Sequence, residues 1–170
     1  MMEEATGRKW KGKAKTKVRG HRAEKVWPLI ADFCGLSKWF PTPTCIPVEG
    51  VSGQPGCVRY CAGFKAPVDN QNDKQRVNWT KQKLQSIDPT NMTLSYIITE
   101  SNVGFFSYVA TWRVRDCEEG GEVEWEYEVE PAQGWTLQML DSFANSGIQV
   151  MGKRMEADLT AMDQALKPSN

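Results

Sequence analysis

Two stretches of strict charge alternation, one near each end of the chain, constrain the fold more than any other feature. In residues 9–19 every odd position is Lys or Arg, and in residues 122–130 every even position is Glu. The positions between them are small, apolar or aromatic, a pattern typical of β-strands with one solvated and one buried face. The opposite signs predict that the first and last strands pair. Arg113 and Arg115, one strand earlier, would then flank the glutamates on their other side. We interpret both charged faces as solvated outer surface rather than as a binding surface.

The rest of the chain predicts two short helices, five more strands and a long helix. Apolar residues at helical spacing predict a short helix over Ala23–Ile30, which tolerates Pro28 only within its first turn. A second short helix is predicted over residues 35–40. After Pro131, apolar residues recur every three or four positions from Leu140 to Leu166 and predict a long amphipathic helix. The five strands are predicted at Ile46–Gly50, Gly56–Phe64, Val77–Asp88, Met92–Glu100 and Phe105–Asp116.

These elements define a fold class. A long amphipathic helix cannot bury its own apolar face, and an antiparallel sheet with one apolar face needs a cover. We therefore expect an α+β fold in which a seven-stranded antiparallel sheet curls around the C-terminal helix, with two short helices after the first strand. A length of 170 residues fits a single domain over 1–170.

Composition excludes several classes of function. The 21 Lys+Arg and 21 Asp+Glu cancel, so the chain lacks the basic field that nucleic-acid binding requires. No segment approaches the ~18 apolar residues of a membrane helix, and residues 1–17 lack the apolar core of a signal peptide. Five scattered cysteines fit reduced thiols. We expect a cytoplasmic monomer or weak dimer without membrane insertion, whose partner is a small hydrophobic molecule.

Strand parity predicts which side chains face the interior. The odd positions of the last strand and the even positions of the strand before it (Phe106 to Val114) face inward. If Tyr96 also faces inward, Glu100 is the only carboxylate on the inner face, where its position at the end of the strand equally allows exposure to solvent. Buried Tyr and Trp need partners for their polar atoms, so the aromatic interior is either a packed core or a pocket for an apolar ligand. The predicted ligand-binding residues are Phe106, Trp112, Trp125, Tyr127 and Phe143, and Tyr96, Tyr108 and Glu100 are candidates for proton transfer.

Two further strands carry polar residues whose orientation matters. In Val77–Asp88, Lys81 and Lys83 favour one face as the outer one, which places Thr80 and Gln82 inside. In Gly56–Phe64 either face can be the inner one, so periodicity leaves Arg59 unassigned.

Metal and nucleotide chemistry lack a sequence basis. His21 is the only histidine, no spacing of Cys or His matches a zinc site, and no glycine-rich phosphate loop is present. We expect neither a metal nor a cofactor, so any catalysis must rest on Arg, carboxylates, Tyr and amides.

Six local motifs stand out along the chain. They are Arg-Lys-Trp-Lys-Gly (8–12), Val-Trp-Pro-Leu (26–29) with Asp-Phe (32–33), Lys-Trp-Phe-Pro (38–41), Gly-Cys-Val-Arg-Tyr (56–60), Trp-Thr-Lys-Gln-Lys-Leu (79–84) and Asn-Met to Ser-Tyr-Ile (91–97). Together these motifs resemble the plant lachrymatory-factor synthase-like group of the polyketide cyclase/dehydrase and lipid-transport proteins. That group is part of the Bet v 1/START-like (SRPBCC) superfamily, whose helix-grip fold wraps a seven-stranded sheet around a long C-terminal helix and a cavity.

The resemblance implies an arginine and a glutamate as the essential pair of the synthase. It assigns the arginine to Arg59 and so makes the odd face of that strand the inner one. The glutamate position holds Gln82, and an amide cannot take and return a proton near neutral pH. Two hypotheses follow. One is a cofactor-free isomerase or cyclase of plant specialised metabolism, in which Arg59 holds an oxyanion, Gln82 orients it and Tyr96, Tyr108 or Glu100 moves a proton. The other is a non-catalytic carrier or receptor for a small hydrophobic ligand.

Overall fold

The computed structural model describes residues 8–66 and 77–167, and the strands in these ranges form one antiparallel sheet. The sheet order is β1-β7-β6-β5-β4-β3-β2, and a long helix follows the last strand. The predicted α+β helix-grip fold is confirmed. In chain order the elements are β1 (Trp10–Arg19), α1 (Ala23–Ala31), a 3-10 helix (Phe33–Lys38), β2 (Thr44–Glu49), β3 (Val58–Ala62), β4 (Trp79–Asp88), β5 (Thr93–Ser101), β6 (Val109–Cys117), β7 (Gly120–Val129) and α2 (Leu137–Leu166).

The predicted pairing of the first and last strands is also confirmed. β1 runs antiparallel to β7 with Lys15 opposite Glu124. The ion pairs are diagonal: Lys13 Nζ lies 3.0 Å from the Glu124 carboxylate, which Arg115 contacts from the other side. Although Glu124 belongs to the outer face, only 2% of it is exposed, because these cationic side chains cover it. Opposite charges therefore lie side by side across the β1–β7 pairing, as the sequence indicates.

The first helix differs from expectation at its proline. Pro28 is the sixth residue of α1 and so lies beyond the first turn. Pro28 is on the exposed side of the helix, where solvent can hydrate the Glu24 carbonyl that lacks an N–H donor. The start of α1 is capped by a residue distant in sequence, since the Ala23 backbone N–H donates to Asp116 Oδ1 at 2.8 Å.

The long helix lies across the sheet and buries one stripe. Thr136 caps its start by accepting a hydrogen bond from the Met139 backbone N–H at 3.0 Å. Close approach to β1 requires Gly152, because a Cβ there would come within 2.3 Å of Thr16 Oγ1. The predicted apolar stripe ends early, since Met162 and Leu166 are exposed. The buried part of the stripe is Leu140, Ala144, Gly147, Ile148, Met151, Met155 and Leu159.

Candidate functional site

A small cavity lies between the inner face of the sheet, the 3-10 helix and α2. Its volume is about 50 Å³. One water needs at least ~10–15 Å³ of such space, so the cavity accommodates a few waters or a molecule of only a few non-hydrogen atoms. Its walls are mostly aromatic. They include Phe40, Phe64, Tyr96, Phe105, Tyr108, Trp112, Trp125, Tyr127 and Phe143.

Most of the aromatic residues predicted to face inward do so. Tyr96, Tyr108, Trp112, Trp125, Tyr127 and Phe143 all line the cavity. Two stacked pairs form one wall: Trp112 on Trp125, with ring centroids 4.9 Å apart, and Tyr108 on Tyr127, 6.4 Å apart. Their inward placement is therefore confirmed, whereas their roles toward a ligand remain predictions.

The predicted inward position of Phe106 is wrong. Phe106 is 69% exposed, and the neighbouring Phe105 takes the inner position. The cause is local: β6 begins only at Val109, and Ser107 has a positive φ of 54°. A left-handed residue breaks the alternation of side chains, so parity counted back from Tyr108 fails at this point.

The predicted inward position of Glu100 is also wrong. In the pairing of β5 with β4, Glu100 lies opposite Lys81 and Ile98 lies opposite Gln82, which leaves Thr99 as an extra residue. This β-bulge reverses the alternation, so Ile98 lines the cavity and Glu100 turns outward. The Glu100 carboxylate pairs with Lys81 Nζ at 3.4 Å, and its side chain is 62% exposed.

Arg59 is buried inside, on the face of β3 that the resemblance selects. Its Nε donates to Gln82 Oε1 at 2.7 Å and its Nη1 donates to the Phe33 carbonyl at 2.7 Å. The guanidinium lies between two rings, with Cζ 3.8 Å from the centroid of Phe33 and 4.8 Å from that of Tyr96. Only 3% of the residue is exposed. The predicted pair of Arg59 and Gln82 is therefore in direct contact.

Gln82 separates Arg59 from the cavity. Gln82 and Thr80 line the cavity, whereas Arg59 lines a separate void of about 10 Å³ beside Asp32 and Met151. A guanidinium has only donors, so the Gln82 oxygen must face it and the amide nitrogen must face away. That nitrogen donates to Thr80 Oγ1 at 2.9 Å. This hydrogen bond leaves the Thr80 hydroxyl proton free to be donated to a further acceptor, and Gln82 is the residue through which Arg59 contacts the cavity lining.

The indole N–H groups of Trp112 and Trp125 are further donors at the cavity wall. Both are buried, and neither has a hydrogen-bond acceptor among the described residues. They lie near the hydroxyls of Tyr96 and Tyr108, but not in hydrogen-bonding geometry. A buried donor without an acceptor costs free energy that a ligand oxygen would recover.

The cavity is poor in groups that titrate near neutral pH. Burial raises the pKa of Tyr96 and, more strongly, that of Tyr108 above the usual value for tyrosine. Among the described residues that line the cavity, none carries a carboxylate or an imidazole. In residues 8–66 and 77–167, no three His, Cys, Asp or Glu side chains are arranged to hold a metal ion.

One carboxylate reaches the cavity through a tyrosine. The Tyr127 hydroxyl donates a short hydrogen bond to Asp141 Oδ1, and Asp141 is exposed on α2. Burial and this hydrogen bond raise the pKa of Tyr127. Gly12 on β1 makes room, since a Cβ there would come within 2.2 Å of the Tyr127 oxygen and 2.5 Å of Asp141 Oδ1. Sequence reasoning missed Asp141, because no periodicity relates a helix residue to a strand residue that it contacts.

A sheet with a long C-terminal helix across its inner face and an aromatic cavity between them defines the helix-grip class. Residues 13–167 match the family described as polyketide cyclase / dehydrase and lipid transport, and the chain belongs to this family. The predicted superfamily is thereby confirmed. Among the described helices, none combines the length and apolar character needed to cross a bilayer.

Solved structures with the same fold come from plants and bacteria. Major latex-like protein 151 from Panax ginseng matches with a TM-score of 0.68 at 16% identity, covering 89% of this chain and 98% of that one. The protein XoxI from Bacillus cereus matches with a TM-score of 0.64 at 18% identity, covering 92% and 98%. A putative uncharacterised protein from Bacillus thuringiensis also matches at 0.64 and 18%, covering 85% and 98%. At these identities the likeness shows the fold alone.

Proposed function

We propose that this chain binds a small, largely apolar molecule that carries one hydrogen-bond-accepting oxygen. The apolar part of the ligand contacts the aromatic walls, and its oxygen accepts hydrogen bonds from Gln82 and Thr80. The observation that carries the proposal is the chain of donors from Arg59 to Gln82 to Thr80 at one side of an otherwise aromatic cavity. Its volume of about 50 Å³ limits the ligand to a few non-hydrogen atoms unless wall side chains move.

The charge of Arg59 explains why the Gln82 amide and the Thr80 hydroxyl would favour a ligand with a hydrogen-bond-accepting oxygen. Because a cation donates to the Gln82 oxygen, the amide is polarised and its N–H groups become stronger donors. Thr80 accepts one of these hydrogen bonds and can donate a hydrogen bond from its own hydroxyl to the ligand oxygen. A carbonyl or similar oxygen would therefore be favoured over a hydrocarbon of the same size.

Binding is tested by titrating the chain with small ketones and with alkanes of matched size while recording tryptophan fluorescence, since Trp112 and Trp125 line the cavity. We expect the ketones to bind more tightly. Thr80→Val should weaken ketone binding by about 3–10-fold, the effect of one neutral hydrogen bond. Thr111→Val, on the outer face of β6, is the matched control and should change nothing. Equal binding of alkanes and ketones would contradict the proposal.

A second candidate function is catalytic. The resemblance to the lachrymatory-factor synthase-like group supports a cofactor-free isomerase or cyclase of plant specialised metabolism. The observation that favours it is the Tyr127–Asp141 hydrogen bond, which gives the cavity a carboxylate by relay although Gln82 occupies the glutamate position. Five free cysteines fit the proposed cytoplasmic setting, in which thiols stay reduced.

The relay would work as follows. As Tyr127 oxygen takes a proton from a carbon beside the ligand carbonyl, its own proton passes to Asp141, and the electron pair left on carbon delocalises onto the carbonyl oxygen. Gln82 and Thr80 stabilise that oxygen by hydrogen bonds, with the charge of Arg59 behind them. Return of the proton to another carbon completes an isomerisation.

Hydrogen exchange separates the catalytic candidate from simple binding. A bound ketone in D₂O should exchange its α-hydrogens in the presence of the wild-type chain, which NMR detects. Asp141→Asn should remove the exchange and leave ketone affinity within about twofold, because the Tyr127 hydroxyl keeps an acceptor. Asp158→Asn, another exposed aspartate of α2, is the control. Binding without exchange in the wild type would identify a carrier.

A further inference from the structure

Two cysteines face each other across neighbouring strands at the cavity wall. Cys45 of β2 lies directly opposite Cys61 of β3. The Cys61 thiol donates to Cys45 Sγ, with the two sulfurs 3.7 Å apart. Cys61 is 2% exposed and lines the cavity, whereas Cys45 is half-buried. The pair therefore joins an accessible thiol to one that touches the candidate site.

The geometry is close to that of a disulfide. The sulfurs must approach by about 1.7 Å to reach the usual bond length of about 2.05 Å. β2 is the terminal strand of the sheet, and its pairing with β3 is already irregular between Pro47 and Glu49. An edge strand with one neighbour can move more easily than a central one, so this approach requires little rearrangement of the core.

The two thiols differ in acidity, and disulfide formation by exchange requires one thiol that ionises readily. The hydrogen bond from Cys61 lowers the pKa of Cys45 to about 6 against the opposing effect of burial, and the charge of Arg59 adds to the lowering. The same hydrogen bond and burial raise the pKa of Cys61. The half-buried Cys45 sulfur is thus the one that ionises more readily, and a thiolate is the attacking species in thiol–disulfide exchange.

We propose that Cys45 and Cys61 are a reversible oxidation site that takes a low-molecular-weight disulfide as its oxidant. The Cys45 thiolate attacks one sulfur of the reagent, forms a mixed disulfide and releases one reagent thiolate, which takes the proton of Cys61. The Cys61 sulfur then attacks Cys45 Sγ, and the second reagent thiolate leaves and is protonated by water. Two protein thiols are oxidised, and one reagent disulfide is reduced to two thiols.

The bond would change the cavity wall at a defined place. It would replace the Cys61 S–H group at the cavity and fix the edge strand β2 to β3, next to Arg59. The inference does not depend on the proposed function, since it rests on the two sulfurs alone.

The test equilibrates the full chain in glutathione buffers of increasing oxidised fraction and stops thiol exchange with acid. The free thiols are then alkylated in denaturant at neutral pH, and the products are mapped by mass spectrometry. Trypsin cleavage after Lys38, Arg59 and Lys65 places Cys45 in peptide 39–59 and Cys61 in peptide 60–65. We expect these two peptides to become linked, with the loss of two hydrogens, and to separate again on reduction. Cys57 shares peptide 39–59 with Cys45, so fragmentation spectra assign the linked residue.

Three variants make the assignment decisive. Cys45→Ser and Cys61→Ala should each abolish the link, whereas Cys57→Ala should retain it. Near-UV circular dichroism checks that each variant is folded. If Cys61→Ala does not fold, because Cys61 is buried, the loss of the link in Cys45→Ser is sufficient for the test. A link that survives Cys45→Ser, a stable glutathione adduct on Cys45 without the link, or a folded wild-type chain that stays fully reduced would each overturn the proposal.

Discussion

Two arginines on opposite faces of the same sheet show how differently a charge can be used. Arg115 lies on the outer face and contacts the carboxylates of Glu122 and Glu124. Arg59 lies on the inner face, where its partners are the Gln82 amide, the Phe33 carbonyl and two aromatic rings. Among the described residues, no carboxylate forms an ion pair with Arg59. Arg115 is thus paired with two carboxylates, whereas Arg59 is paired with none among the described residues.

This difference in pairing matches the difference between a charge that joins strands and a charge that the proposed function would use. A neutralised ion pair holds two strands together and has little field at a distance. A buried cation without a carboxylate partner is costly, because solvation by dipoles and rings replaces water only in part. Its field is also screened less than at the surface. Arg59 lies next to Gln82, which lines the cavity, so in the proposed function its field would reach a ligand through Gln82.

The largest effect is expected on the outer face. Glu124→Gln should lower the free energy of unfolding by about 2–3 kcal/mol, because it removes a buried carboxylate that compensates several cations. Urea unfolding at pH 7 measures the loss. Burial opposes the ionisation of Glu124, but the Lys13 hydrogen bond and the charges of Arg115, Lys13 and Lys15 outweigh it and lower its pKa. The advantage of the wild type should therefore persist above pH ~4.3 and vanish as the pH falls through the folded-state pKa.

Glu126→Gln is the matched control for this stability prediction. Glu126 pairs with Arg113 at 2.8 Å on the same face, but both side chains are well exposed. A solvent-exposed pair contributes only about 0.2–1 kcal/mol. Equal losses in Glu124→Gln and Glu126→Gln would mean that burial of Glu124 contributes nothing.

The next effect is expected on the inner face and in binding. Arg59→Met should weaken ketone binding by about 10–100-fold, the range for losing a charge-assisted hydrogen-bond chain. Arg115→Met should leave affinity unchanged although it lowers stability. Unfolding curves first check that both variants are folded. Fluorescence titration at pH 7 without urea then compares their affinities for the ketone. A similar loss of affinity in both variants would show that Arg59 has no special relation to the cavity.

Charge alternation predicted the outer face well because the period of the pattern and the sign of the charges can both be read directly from the sequence. A period of two fixes the face, and opposite signs fix the neighbouring strand, so the β1–β7 pairing needed no other information. The same parity failed for Phe106 and Glu100. Ser107, with its left-handed backbone, breaks the alternation before Tyr108, and the bulge at Thr99 breaks it before Glu100. Neither residue type indicates such a feature in a single sequence.

The inner site was predictable only in part. The lysines of β4 placed Gln82 and Thr80 inside, and the family resemblance placed Arg59 beside them. Neither could show that Gln82 stands between Arg59 and the cavity, because that depends on how long side chains pack in three dimensions. Asp141 and Cys45 were missed as partners of Tyr127 and Cys61 for the same reason, since both contacts join residues from different elements.

The smallest effect concerns the reach of the Arg59 charge and uses Cys45 as its reporter. Several neighbours set the pKa of this thiol to about 6. Cys61 and Arg59 from β3 lower it, the backbone N–H groups of Leu36 and Ser37 in the 3-10 helix lower it further, and burial raises it. Because the thiolate is the nucleophile, the alkylation rate of Cys45 should rise with pH, reach half its maximum near pH 6 and level off above it.

A free thiol such as N-acetylcysteine provides the reference, since its rate should continue to rise toward pH ~8.5. A lower pKa also makes a thiolate less nucleophilic, so the rate of Cys45 at neutral pH should differ from the reference by only a few-fold, and the shape of the profile is the readout. Arg59→Met should move the Cys45 midpoint to higher pH, because a cation that stabilised the thiolate is gone. Arg115→Met should leave it in place, because that charge is neutralised by Glu122 and Glu124. Site-resolved alkylation by mass spectrometry measures both profiles. An unchanged midpoint in Arg59→Met would mean that the inner charge is screened as completely as the outer one, and the contrast between the two arginines would fail.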